Sequence, residues 1–150
     1  MILVSVQKGG EMKQVNLAER KRAEELYRSV VELALDSIVT VDMKGVITSS
    51  NTAATRILGY SKDELVGKHF SKIGVFRPRD IPKFLKLFNS ALRGEVAKPL
   101  ELTLYRKGGT PILAEVRVGV LKEGGKTIGL QAVSRDITER KRAEEALRES

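Results

Sequence analysis

The stretch SRDITERKRAEE, residues 134–145, decides how this chain is organised. It begins at the end of an apolar, β-branched run, TIGLQAV at 127–133, and continues into a charged segment with Ala143, Ala146 and Leu147 on one side, so a strand passes into a helix near Thr138. Thr138 is a suitable helix cap, because its hydroxyl can accept a bond from exposed helix-start amides. The seven residues ERKRAEE of this junction also stand at 19–25, which is 120 residues upstream. A period of that length is too long for a solenoid and matches one ordinary globular domain. The repeat therefore marks the connector into a module and the connector out of it.

From this reading the chain divides into a flexible lead-in at 1–15, an amphipathic linker helix at 16–35, a domain at 36–137 and the start of an outgoing linker helix at 138–150. Residues 1–15 have no obvious periodicity and contain KGG. In the linker helix Ala23, Leu26, Val30 and Leu33 recur at spacings of three and four, with charges on the other faces. The seam is shorter than the several heptads of a secure coiled coil, so a short dimerising helix, and with it a homodimer, is the expectation.

Inside the domain, DSIVTVDMKGVITSSN at 36–51 reads as strand, tight turn at Gly45, and strand. Asn51 then caps a short helix, and SKDE at 61–64 is a capping box that starts another, ended by Gly67. Residues 78–94 form the best-defined internal helix, with Ile81, Phe84, Phe88 and Ala91 on one face. LELTLYR, ILAEVRVGV and TIGLQAV follow as three strands joined by the glycine turns at 107–109 and 122–126. Two hairpin systems around a helical middle imply an α+β fold, an antiparallel sheet with helices packed on one face.

Composition narrows the chemistry. With 41% hydrophobic residues in 150, the chain can bury one core, and no apolar run approaches a bilayer-spanning length, so a cytoplasmic module is expected. There is no cysteine, which excludes disulfides and thiolate chemistry. The net charge of +8 arises largely at 62–93, where eight cations face three acids. That segment has few aromatics placed for base stacking and no recognisable nucleic-acid motif, so it reads as a solvated basic face rather than a nucleic-acid surface. No metal-ligand spacing, nucleophile with a base, or phosphate loop occurs, and the chain is read as non-enzymatic.

The residues VDMKGVITSSNTAA from Val41, LGYSKDELVGK from Leu58 and SRDITERKRAEE from Ser134, in this order and spacing, resemble the PAS domain, the sensory module of bacterial and archaeal signalling proteins such as sensor histidine kinases. The resemblance runs from Leu26 to about Arg142. It implies a PAS-like sheet of five antiparallel strands cupped by the middle helices, with a cavity between them, and serial PAS or kinase domains joined by amphipathic helices in a two-component system. It also implies a signal junction at Asp136, Thr138 and Arg140, with Asp136 and Arg140 pairing across it.

Within the resemblance, the cofactor classes separate by residue. Relatives that bind flavin or a coumaroyl chromophore covalently need a cysteine, which this chain lacks. Gln131 stands in the last strand, where flavin-binding relatives often place a glutamine, but a solvated polar strand position is the plainer account. Haem-binding relatives use a histidine on the long middle helix, and here that helix has none; the single histidine, His69, precedes it and reads as a turn residue. No cofactor is therefore the expectation, with non-covalent flavin or haem as the alternative. Candidate cavity walls are Val39, Val41, Ile57, Leu58, Phe84, Phe88, Leu102, Leu104, Val116, Val118, Leu130 and Ala132, with Arg106 and Arg117 as rim anchors for an anion. The same residues would equally fill a ligand-free core. The function implied is a sensor that dimerises through its flanking helices and relays ligand or partner signals; the alternative is a dimerisation spacer without a ligand.

Overall fold

The structure, a computed structural model, describes residues 3–8, 11–95 and 98–150. It divides into two compact units, residues 1–33 and 34–150. In the first unit β1 (Leu3–Lys8) pairs antiparallel with β2 (Glu11–Asn16), Leu3 opposite Asn16 and Lys8 opposite Glu11. This hairpin stands where the sequence reading expected only a flexible lead-in. The two valines Val4 and Val6 alternate with polar residues, a period-2 signal too short to register beside the glycines. The helix α1 (Leu17–Leu33) follows, and none of its residues is buried.

The second unit holds β3 (Ser37–Asp42), β4 (Ile47–Ser50), α2 (Thr52–Leu58), α3 (Lys62–Leu65), α4 (Ile81–Leu92), β5 (Leu100–Tyr105), β6 (Pro111–Glu123), β7 (Lys126–Asp136) and α5 (Thr138–Glu149). The five strands form one antiparallel sheet in the order β4-β3-β7-β6-β5. Chain ends of the domain thus lie side by side in the middle of the sheet, where β3 pairs with β7.

Local signals act as their chemistry dictates. Asp42 and Gly45 make the β3–β4 turn: the Asp42 carboxylate accepts from Lys44 and Val46 amides at 2.8 and 3.0 Å, and Gly45 takes φ 87°, which a side chain would strain. Asn51 caps α2 through Ala54 N–H at 3.0 Å. Ser61 and Glu64 form the reciprocal capping box of α3. The long internal helix is shorter than expected: Pro78–Asp80 is a single 3₁₀ turn and the α-helix begins at Ile81, whose successor is Pro82.

One face of the sheet is apolar and covered. Leu102 and Leu104 of β5, Ala114 and Val116 of β6, Leu130 of β7 and Val41 of β3 pack against Leu58, Leu65, Phe84, Leu87, Phe88 and Ala91 from the helices. Phe70 stands at the centre of an aromatic group, its ring centroid 4.9 Å from that of Phe84 and 6.1 Å from that of Phe76.

The helix α3 is also tied to the β5–β6 turn, because the Glu64 carboxylate meets Lys107 Nζ while accepting the Ser61 amide at 3.0 Å. The Lys107 ammonium, followed by the Ser61 amide, holds the Glu64 carboxyl at about 2, well below its ordinary 4.5. A depressed carboxylate stabilises the fold fully above the unfolded-state value and loses that contribution as pH falls through the folded one. Glu64→Gln keeps an acceptor for the Ser61 amide but loses the charge. The stability gap between the original chain and this variant is therefore expected at pH 7 and narrows as pH falls from 4.5 toward 2, read from urea midpoints. A gap that does not change with pH would contradict the assignment.

Candidate functional site

Between the sheet and the helices lies a cavity of about 50 Å³. Seven of the sequence candidates line it: Val39 and Val41 from β3, Leu58 at the end of α2, Phe84 from α4, Leu104 from β5, Val116 from β6 and Ala132 from β7. Ile57, Phe88, Leu102, Val118 and Leu130 do not. Phe88, Leu102 and Leu130 are core residues, while Ile57 and Val118 pack against the core. Each has the right face and the wrong depth. The rest of the wall includes Phe70, Ile73, Val75 and Phe76, from the aperiodic segment between α3 and α4 that strand or helix patterns do not register.

The size of the void decides what it can hold. Pockets that enclose drug-sized ligands run to about 300–1,000 Å³. A flavin or haem would have to displace side chains such as Phe76 and Phe84. Gln131, the residue that raised the flavin question, alternates with Leu130 and Ala132 and is carried by β7 on the opposite face of the sheet from the cavity wall. Arg106 and Arg117 do not reach the cavity either: Arg106 donates to the Arg56 carbonyl at 3.4 Å, and Arg117 pairs with Glu115 at 3.3 Å. His69 is a turn residue, its Nδ1 accepting the Ser71 amide at 3.2 Å and its ring stacked on Phe70. Among the described residues no His, Asp and Glu group has metal-site geometry, and no helix is long and apolar enough to cross a membrane.

Where the strands meet the linkers, two sets of bonds converge. Asp36, just before β3, receives a two-pronged contact from Arg135 at the end of β7, Nε to Oδ1 at 3.2 Å and Nη2 to Oδ2 at 3.1 Å. Asp36, followed by Glu115, raises the Arg135 pKa through its hydrogen bond and charge. The Asp36 carbonyl also accepts Asn51 Nδ2 at 2.9 Å. One residue beyond Arg135, Asp136 Oδ1 accepts both the amide and the hydroxyl of Thr138, at 3.0 and 2.6 Å.

The junction residues act differently from the expectation. Thr138 does not cap α5 with its side chain. Its hydroxyl instead accepts the Leu113 amide of β6 at 3.2 Å, while Ile137 N–H donates to the Leu113 carbonyl at 2.9 Å. The β6 backbone had unfilled donors and acceptors beyond the β7 pairing, and the junction satisfies them. Nor does Arg140 pair with Asp136; it faces Glu101 and Glu115, each at 3.9 Å, and Glu144 at 3.8 Å. Asp136 is already engaged by Thr138, whereas the two glutamates project from β5 and β6 beside the first turn of α5. Lys141 adds a 3.3 Å contact to Glu101. The outgoing helix is thus fastened to three strands by one threonine and two cations.

Three cations of the basic segment at 62–93 have local partners among the described residues. Lys83 faces Asp80 at 3.9 Å, Arg93 faces Glu95 at 3.0 Å, and the Arg77 guanidinium lies 3.9 Å from the centre of the Tyr105 ring.

A five-stranded antiparallel sheet with helices over one face and a small apolar cavity beneath them makes this an α+β domain. The PAS domain family model matches residues 35–139, and the chain belongs to that family. It is 34% identical over 122 residues to two-component system protein A of Emericella nidulans, covering 80% of this chain and 18% of that protein. It is 27% identical over 139 residues to the signal transduction histidine-protein kinase AtoS of Escherichia coli, covering 88% and 22%. The crystal structure of the PAS domain of a Colwellia psychrerythraea protein superposes with a TM-score of 0.68 at 23% identity, covering 81% of this chain and 98% of that one. The chain therefore spans about a fifth of the length of these two curated relatives.

Proposed function

We propose that this chain is a non-enzymatic relay module of a larger signalling protein, a histidine kinase of a two-component system in the cytoplasm. In this reading it dimerises through its flanking helices and passes a ligand- or partner-induced shift from the cavity to the outgoing helix. The observation that carries the reading is the convergence at the β3–β7 pair. The inner face of these strands lines the cavity through Val39, Val41 and Ala132, and their ends carry the Asp36–Arg135 pair and the Asp136–Thr138–Leu113 bonds. A change in what the cavity holds would be felt by strands that end at both linkers. Such a stimulus acts only if it binds two arrangements of the junction with different affinity.

Dimerisation is the part assigned to α1. Leu26, Val30 and Leu33 are 66%, 61% and 81% exposed, an apolar stripe along a helix that otherwise presents Glu19, Arg20, Arg22 and Glu25. Adjacent PAS or kinase domains would extend these helices on either side. Exchanging Leu26 and Val30 for glutamates is expected to convert a dimer into a monomer in sedimentation velocity, with the domain still folded. A dimer unaffected by both charges would remove α1 as the interface.

The small cavity favours a second reading, a packed spacer that sets the distance between domains and holds no ligand. Native mass spectrometry separates the two: a discrete added mass on the freshly purified chain supports the sensor, and a bare mass that stays bare after exposure to small molecules supports the spacer.

A further inference from the structure

We propose that the free edge of β5 receives an extended acidic segment of a partner protein, which adds a strand to the sheet beside Glu101 and Thr103 and sets its carboxylates against Arg79, Lys86 and Lys98. Occupancy of this edge requires neither a filled cavity nor a dimer.

The register fixes which way the edge faces. β5 ends the sheet and pairs with β6 alone. Thr103 stands opposite Leu113, whose amide and carbonyl are both spent on the far side, on the Thr138 hydroxyl and the Ile137 amide. The Thr103 amide and carbonyl therefore point away from β6, and by alternation so do those of Glu101 and Tyr105. Tyr105 bears this out: its amide donates outward to the Val75 carbonyl at 2.9 Å, so the edge already takes one backbone partner at that end. The outward amides and carbonyls of Glu101 and Thr103 have no partner among the described residues. A row of unpaired backbone groups is a template for another strand.

Charge selects the occupant. The open edge is one wall of a groove of about 480 Å³ whose other wall is Arg79, Asp80 and Lys83, a size within the range of about 300–1,000 Å³ found for binding clefts. A second depression shares Lys83 and extends past Leu100 between Lys86 and Lys98. The acids here are engaged, Asp80 by Lys83 at 3.9 Å, Glu95 by Arg93 at 3.0 Å and Glu101 by Lys141 at 3.3 Å. Arg79, Lys86 and Lys98 are exposed and have no acidic partner among the described residues. A second copy added through the same edge would set these cations against their own counterparts, whereas an acidic strand neutralises them. Side chains of an added strand alternate between faces, so acids at every second position all meet the α4 wall.

The test titrates the peptide acetyl-Glu-Thr-Glu-Thr-Glu-amide into the full chain and follows backbone amides by NMR. Saturable shifts in β5 and α4 are expected, with the Glu101 and Thr103 amides exchanging about tenfold more slowly at saturation. The same peptide N-methylated throughout keeps its carboxylates and loses the ladder, and should bind about tenfold more weakly. Arg79→Gln combined with Lys86→Gln changes two exposed side chains without disturbing the fold, and should weaken the unmodified peptide about fivefold. Equal affinity of the N-methylated peptide would overturn the proposal, since only charge would then be sensed. Equal shifts from single-stranded polyuridylate would do the same. Protection of the Glu101 and Thr103 amides that rises with protein concentration in the absence of peptide would assign the edge to a second copy and also overturn it.

Discussion

Replacing Asn51 with alanine lowers the unfolding free energy by about 3 kcal/mol, enough to remove a large part of a domain's margin. The side chain is 2% exposed and joins three segments. Its Oδ1 accepts the amides of Ala54 at 3.0 Å and Ile38 at 2.9 Å, and its Nδ2 donates to the Asp36 carbonyl at 2.9 Å. Loss of the cap alone costs about 1 kcal/mol. The remainder comes from the Ile38 amide and the Asp36 carbonyl, which alanine leaves without that partner in a partly buried place, at about 1 kcal/mol or more each. Urea unfolding should show a lower midpoint with an unchanged slope. Because Asp36 also receives Arg135, the variant should loosen the β3–β7 end as well, seen as faster exchange of the Ile38 amide. A midpoint within error of the original chain would mean that the cap is ornamental.

Gly129→Ala is expected to be at least as damaging, at about 3 kcal/mol, for a reason unrelated to glycine's flexibility. A Cβ at this position would stand 2.1 Å from the Val41 carbonyl oxygen, a backbone atom that cannot swing away. Gly129 opposes Asp42 on one side and Leu121 on the other, so β7 is held between two neighbours and cannot retreat from either. Gly119→Ala is the matched control, since a Cβ there meets nothing within 4 Å, and it should change stability by less than about 0.5 kcal/mol. Equal effects of the two alanines would show that the loss comes from glycine in a strand generally rather than from this close approach.

Much of this architecture is legible from short-range chemistry. Asn51, the Ser61–Glu64 box and the Gly45 turn each act within a few residues, so their roles follow from the letters around them. The five strands are legible because valine, isoleucine and threonine alternate between glycine-bearing turns. What the letters leave open is depth and partnership. Val39 and Leu130 share the same inner face, yet one lines the void and the other is sealed in the core, a difference set by helices far away in sequence. Ser37 and Ser134 read as polar strand ends, and only the β3–β7 register brings them together inside. Phe70, Val75 and Phe76 lie in an aperiodic segment whose burial no pattern announces. Thr138 looks like a cap from its place before a helix, but Leu113, 25 residues away, offers a bond that local reasoning cannot weigh. Arg140 likewise finds Glu101 and Glu115 on strands rather than its near neighbour Asp136.

In the proposed relay, the cavity and the outgoing helix are one mechanical unit, joined through the end of β7. The most direct measurement is amide hydrogen exchange of the junction in the Ala132→Leu chain, where the added bulk enters the cavity several residues from Thr138. In a working relay the amides of Leu113 and Lys141 exchange about tenfold faster relative to those of the last turn of α4, because β7 must shift and the Thr138 and Ile137 bonds shift with it. Exchange at Leu113 and Lys141 that matches the original chain, while cavity-lining amides respond, would contradict it: the cavity would then be a packing feature without a path to the helix.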